Sequence, residues 1–222
     1  MIVEFYGTPG AGKTYLANAI VSQLETEGIY AENIVELGRS KTKNKAINKI
    51  VRASLKIIPR YVKLKTDLCQ VLQEYLNTSA KYNDEPIEGF LDNIVYYTYW
   101  YEKLRNKKGV YLFDEGISHQ YVNMMANYGI SLNDVKEIKA LIPYLPPVVY
   151  VTCESTVNLE AIRSRNRHVC YIDELTGDDL EACIRDYRQA CESVLATVSP
   201  FTVKREEDVL LNIQLIRKAV GI

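Results

Sequence analysis

The stretch from residue 7 to residue 14 constrains this chain most, because its sequence GTPGAGKT fits the pattern G-x-x-x-x-G-K-[ST]. A loop of this kind turns successive backbone N–H groups toward a phosphate, and the helix after it adds the positive end of its dipole. Lys13 is expected to reach the β- and γ-phosphates of a nucleotide, and the Thr14 hydroxyl to bind Mg²⁺. The other loop residues are expected to bind a nucleoside triphosphate, ATP, through their backbone: Gly7, Pro9, Gly10, Ala11 and Gly12.

The segments along the rest of the chain predict the sheet that such a loop requires. Residues 2–6 (IVEFY) predict a short buried strand before the loop, and apolar residues at helical spacing follow it. Similar apolar runs predict strands at 33–37, 110–113, 148–152 and 201–203, with helical patterns between them. Five such strands predict an α/β fold of three layers, the P-loop NTPase architecture, in which a five-stranded parallel sheet has helices on both faces.

The segment from about residue 39 to residue 106 predicts helices without a strand, and therefore a helical insertion between the second and third strands. Pro59 is expected to end the first of these helices, because proline cannot donate to the preceding turn. Residues 39–65 contain ten basic residues and no acid, which leaves 17 basic and 28 acidic residues elsewhere. A charge run is usually a solvated face, but this segregation also suggests an anionic partner: a phosphorylated substrate, an anionic lipid surface or a nucleic acid.

Acidic residues follow two of the predicted strands. In a parallel sheet the site lies at the carboxyl ends of the strands, where these residues would meet the glycine loop. Asp114 is expected to hold the Mg²⁺ shell, and Glu115 to polarise a water or a hydroxyl. Glu36 ends the second predicted strand, and it is either a general base for an acceptor hydroxyl or a solvated carboxylate.

Three arginines lie just beyond the fourth predicted strand, at Arg163, Arg165 and Arg167. Guanidinium groups at this spacing can clamp a transferring phosphoryl group, where charge spreads over the equatorial oxygens. The alternative interpretation is a solvated helix end, where arginines complement the helix dipole. Because the position suits the site edge of the sheet, we expect the clamp.

Composition and length indicate a cytoplasmic protein. The first predicted strand begins at residue 2, which leaves no room for a signal peptide, and no apolar run approaches 18 residues. The five cysteines are odd in number and include no C-x-x-C pair, so reduced thiols are expected. The sequence leaves the oligomeric state open, and a homodimer is compatible with it.

Together these motifs resemble the nucleoside and nucleoside-monophosphate kinase branch of the P-loop proteins, thymidylate kinases especially. The matching stretches are Gly7 to Thr14, Glu36, Asp114 to Ser118 and Arg163 to Arg167. The resemblance implies one kinase-like domain over 1–222, an insertion at about 39–106 that covers the acceptor, and an arginine-bearing lid at about 160–170. Those kinases commonly have Asp-Arg where this chain has Asp114-Glu115, which leaves the acceptor open.

Three hypotheses about function follow. The first is a kinase that transfers phosphate from Mg-ATP to a small-molecule acceptor, such as a nucleoside or a nucleotide. The second is a P-loop ATPase that acts as a switch or on nucleic acid, with Glu115 activating water. The third is a peripheral membrane kinase whose basic helix at 44–58 contacts anionic lipid to reach a lipid-linked substrate.

Overall fold

The structure, a computed structural model, describes residues 1–34, 42–82, 84–164 and 171–222, with only the backbone described at 42–45. Its strands are β1 (Ile2–Tyr6), β2 (Ala31–Asn33), β3 (Val110–Phe113), β4 (Val148–Thr152) and β5 (Phe201–Lys204). They form one parallel sheet in the order β2-β3-β1-β4-β5. The predicted five-stranded parallel α/β fold is therefore confirmed.

Helices occupy most of the remaining described chain. They are α1 (Lys13–Thr26), α2 (Thr42–Leu55), α3 (Pro59–Val71), α4 (Ile87–Leu104), α5 (Ile117–Tyr128), α6 (Leu132–Leu141), α7 (Ser155–Arg163), α8 (Gly177–Val198) and α9 (Val209–Val220). Within the described ranges, every helix is too short or too polar to serve as a transmembrane span.

The two faces of the sheet bury different helices, because successive side chains of a strand point in opposite directions. On β1, Val3 and Phe5 pack in a core with α1 and α9. Ile2 and Tyr6 face the opposite core, which contains α4, α5, α6 and α8. Glu4 points to this second face as well, where its side chain is wholly buried. The sheet thus lies between two helical layers, with β1 at its centre.

Two local predictions were wrong. The second strand spans Ala31–Asn33, two residues earlier than expected, and Ile34 already lies beyond it, while residues 35–37 fall outside the described ranges. Pro59 does not end a helix but begins α3, at the first helical position. Proline suits that position because it has no N–H, and an N–H at the first helical position would have no partner within the helix in any case. The helix before it ends at Leu55.

Candidate active site

The loop between β1 and α1 is held tightly against the neighbouring strand. Gly7 has a φ of +156°, and a Cβ at this position would lie 2.2 Å from the carbonyl oxygen of Val151 in β4. Only glycine permits such a close approach of two backbone segments. The first glycine of the motif therefore sets how deeply the loop sits beside β4.

The lysine of the loop contacts the loop itself, and the threonine contacts the acid that follows β3. The buried Lys13 ammonium donates hydrogen bonds to the carbonyls of Gly7 (2.9 Å) and Thr8 (3.2 Å). The Thr14 hydroxyl donates to Asp114 Oδ2 at 2.5 Å, and Asp114 is fully buried. The structure therefore brings the glycine loop and the acid that follows β3 into direct contact.

The pair formed by Thr14 and Asp114 suits a hard divalent cation. A hydroxyl and a carboxylate supply oxygen donors, which Mg²⁺ prefers, and Mg²⁺ takes its further ligands from water and phosphate. The hydrogen bond between them, at 2.5 Å, places the two oxygens side by side. These two residues are the ones that could hold Mg²⁺ beside a bound nucleotide.

A cavity of about 800 Å³ opens in front of the loop. Its floor includes Lys13, Thr14 and Glu115, and its far wall includes rings and polar groups of α4, α5 and α8: Phe90, His119, Asn123 and Tyr187. Cavities of this size bury most of a small organic molecule. The cavity is therefore large enough for a small organic molecule next to the glycine loop.

Carboxylates reach this cavity from two directions. Glu115 is half-buried beside the loop, and Glu85 lies on the wall opposite, before α4. Desolvation raises the pKa of the Glu85 carboxyl above its usual range. Glu85 was not among the predicted site residues, and nothing in its neighbourhood in the sequence indicates that it faces the cavity.

A smaller cavity of about 220 Å³ lies on the other side of α1, between this helix and the segment after β5. Tyr15, Leu16, Arg205 and Asn212 line it. Arg205 also lines the larger cavity, and its guanidinium donates to the carbonyl of Gly10. Sequence reasoning missed Arg205, because 195 residues separate it from its partner.

Side chains from α7 and α8 hold the loop from behind. The Asn158 amide donates to Thr8 Oγ1 (2.9 Å) and to the Pro9 carbonyl (2.8 Å). Arg188 donates to Asn158 Oδ1 (3.2 Å) and to the carbonyl of Cys153 (2.8 Å). Neither residue belongs to the sequence motif, and both were missed.

Glu4 lies under this site, on the central strand. Its carboxylate accepts hydrogen bonds from the Tyr101 hydroxyl (2.8 Å) and from the Ser118 N–H in the first turn of α5. Burial raises the pKa of Glu4 to about 7, although the hydrogen bonds from Tyr101 and Ser118 lower it. Gly116 leaves room for this contact, since a Cβ there would lie 2.5 Å from Glu4 Cδ. The sequence indicates this residue, because Glu4 is an acid within an otherwise apolar predicted strand.

Solved structures of one enzyme share this arrangement of elements. Deoxyadenosine kinase from M. mycoides with the products dCMP and a flexible dCDP bound aligns over 100% of this chain and 99% of that chain, at a TM-score of 0.54 and 16% identity. This chain therefore shares the fold of that enzyme. The same enzyme with bound dATP aligns over 100% of both chains, at a TM-score of 0.53 and 17% identity. A scan against protein-family models and a search of curated proteins found no match for this chain.

Some of the predicted site residues lie outside the described ranges. Glu36, Arg165 and Arg167 are among them, so their roles stay predictions. Arg163 is described, and it lies exposed in the last turn of α7. The cavity wall continues along the same helix through Ala161 and Ser164, so the start of the predicted lid adjoins the cavity.

The basic segment is partly neutralised within the fold. Among its side chains that the structure describes, from residue 46 onward, three cations form ion pairs: Arg60 with Glu102 at 3.1 Å, Lys63 with Asp67 at 3.1 Å, and Lys65 with Asp92 at 2.5 Å. Arg52 lies over the ring of Tyr96, 4.3 Å from its centroid. Lys49 and Lys56 are exposed, so over the described residues 46–65 the predicted anionic partner would meet fewer unpaired charges than the sequence suggests.

Proposed function

We propose that this chain is a nucleoside kinase, which transfers the γ-phosphoryl group of ATP to a hydroxyl of a nucleoside or a similar small molecule. The hydrogen bond between Thr14 and Asp114 supports this most directly, because it joins the glycine loop to the acid of β3 at the mouth of one cavity. The shared fold with deoxyadenosine kinase, over the full length of both chains, supports the same class of reaction.

The proposed mechanism uses residues that already line the cavity. The oxygen of the acceptor hydroxyl attacks the γ-phosphorus, the bond to the β–γ bridging oxygen breaks, and ADP leaves with that electron pair. Lys13 would exchange its carbonyl contacts for phosphate oxygens and stabilise the transferred group. Glu115, half-buried on the cavity floor, would accept the hydroxyl proton.

Thr14 and Asp114 would hold Mg²⁺, and this ion, when bound, neutralises charge on the phosphate oxygens. Arg163 and its neighbours Arg165 and Arg167 are proposed to close over the phosphates from α7, because the segment begins at the rim of the cavity. Glu36 is proposed as a second carboxylate for the acceptor. The region at about 39–106 is proposed as the acceptor cover, since Glu85 and Phe90 from it line the cavity.

The base of ATP is proposed to occupy the smaller cavity. Tyr15 and Leu16 offer apolar surface there, and Arg205 offers a planar guanidinium on which a base can stack. Because the larger cavity retains space beside the phosphates, it would take the acceptor. That second compartment favours a kinase over an ATPase, in which only water needs to reach the γ-phosphate.

Labelled ATP tests the proposal with a panel of acceptors that contains deoxynucleosides, ribonucleosides and nucleoside monophosphates. We expect transfer of label to at least one nucleoside, and loss of this transfer in Lys13→Ala, because the buried ammonium on the loop is removed. Lys136→Ala, which removes an exposed lysine of α6, is the matched control and should keep wild-type activity. If ATP were hydrolysed at the same rate in the presence and in the absence of each acceptor, the result would support the ATPase hypothesis instead.

A further inference from the structure

Asn158 is the point where α7 meets the phosphate-binding loop. Its side chain is fully buried, and its amide reaches Thr8 Oγ1 and the Pro9 carbonyl. Its own backbone carbonyl lies so near Gly10 that a Cβ there would be 3.0 Å from it. Three successive loop residues therefore rest on a single residue of the helix.

The side-chain amide of an asparagine can adopt two orientations that exchange its oxygen and its nitrogen, since these atoms differ little in shape. Only one orientation satisfies the Pro9 carbonyl, which needs a donor. Arg188 selects it, because a guanidinium has donors alone and must face the amide oxygen. The same Arg188 nitrogen also donates to the carbonyl of Cys153, immediately after β4, which fixes the guanidinium itself.

We propose that Arg188 is a positioning residue for the phosphate-binding loop, which acts by holding the Asn158 amide toward Pro9. The expected effect of Arg188 on ATP binding rests on the proposed function. Its expected effect on the loop of the ligand-free protein does not. Arg188 donates its hydrogen bonds to Asn158 and to the carbonyl of Cys153, so its influence on the loop passes through the amide.

This arrangement also joins the loop to the arginine segment. Asn158 and Arg163 belong to the same helix, five residues apart, and α8 supplies Arg188 from behind. A shift of α7 would therefore change the support of Thr8 and Pro9 as well as the place of Arg163.

The first test measures amide hydrogen exchange of the ligand-free protein over residues 7–14. Arg188→Met keeps an apolar stem of similar length but removes the donors, and we expect roughly tenfold faster exchange in this peptide. Arg185→Met is the matched control, because Arg185 lies exposed on the same helix one turn earlier, and it should leave exchange unchanged. Arg188→Lys retains a cationic donor and should restore most of the protection. Unchanged exchange in Arg188→Met would overturn the proposal.

The second test asks whether Arg188 acts through Asn158. If it does, Arg188→Met combined with Asn158→Leu should exchange no faster than Asn158→Leu alone, whereas independent effects would add. Asn158→Asp covers the case in which Arg188→Met fails to fold. It keeps an acceptor for Arg188 but removes the donor to Pro9, so the loop should again exchange faster. Additive effects, or a loop unchanged by Asn158→Asp, would refute the positioning role.

Titration with ATP then separates this inference from the proposed function. We expect the Kd for ATP to rise about tenfold in Arg188→Met, with a smaller change in kcat, because the loop binds phosphate before the reaction. If the wild-type chain bound no ATP, the proposed function would fail while hydrogen exchange still decided the role of Arg188. If the wild-type chain bound ATP and Arg188→Met matched it, the inference would fail alone.

Discussion

Replacing Glu4 by glutamine should change how the stability of this protein depends on pH. Glu4 is wholly buried at the centre of the sheet, and burial raises its pKa from 4.5 to about 7. Between these values the native state keeps the proton while the unfolded state releases it. The contribution of Glu4 to the unfolding free energy is therefore largest below pH 4.5. This contribution is lost as the pH rises to about 7.

The expected size of the effect follows from the two pKa values. A pH unit corresponds to about 1.4 kcal/mol, so the interval from 4.5 to about 7 corresponds to about 3 kcal/mol of unfolding free energy. Glutamine cannot ionise, yet its amide oxygen can still accept from the Ser118 N–H. In Glu4→Gln this loss of about 3 kcal/mol should be absent, whatever constant cost the substitution adds.

Urea denaturation at several pH values from 4.5 to 8.5 measures this difference. The unfolding free energy of Glu4→Gln minus that of the wild type should increase by about 3 kcal/mol across this range, mostly before pH 7. Glu25→Gln is the matched control, because Glu25 is an exposed carboxylate on α1, and its curve should run parallel to the wild type. A parallel curve for Glu4→Gln as well would refute the assignment of a buried, proton-retaining carboxyl to β1.

Three further substitutions test the site. Gly7→Ala should lower the unfolding free energy by about 3 kcal/mol in urea denaturation, because the new Cβ would meet the backbone of Val151. The control is Gly28→Ala, where φ is also positive but no atom lies within 4 Å, and it should lower the unfolding free energy by only about 1 kcal/mol. Glu115→Gln should lower kcat roughly 100-fold in the labelled-ATP assay and leave the Kd for ATP nearly unchanged; an unchanged kcat would exclude Glu115 as the base. Arg205→Ala should weaken ATP binding about tenfold in calorimetry, because it removes a donor to the loop and a wall of the smaller cavity.

Local sequence patterns were sufficient for the main lines of the fold. A strand that is buried on both faces appears as an apolar run in 110–113, and the glycine motif marks the turn from β1 to α1. The acid after β3 was placed correctly at the loop, because parallel strands end at one edge. Its role as a ligand of Mg²⁺ stays a prediction.

Contacts between distant segments could not be read from the sequence. Asn158, Arg188 and Arg205 touch the loop or its support across 30 to 195 residues, and each is an ordinary polar residue of a helix or a turn. The start of β2 was misplaced because its first residues, Ala31 and Glu32, are weak strand formers. Pairing with β3, and not local propensity, makes them part of the strand. Pro59 was misjudged because proline begins helices as readily as it ends them.

The strand order has a consequence for how the chain matures. β1 is the first of these five strands to be synthesised, but its partners are β3 and β4, so it gains its first neighbour in the sheet only after residues 110–113 have emerged from the ribosome and its second only after 148–152. The loop after it needs even more of the chain, because Asn158 supports Pro9. A nascent chain stalled before this point would carry the complete glycine motif without the surroundings that give it its shape.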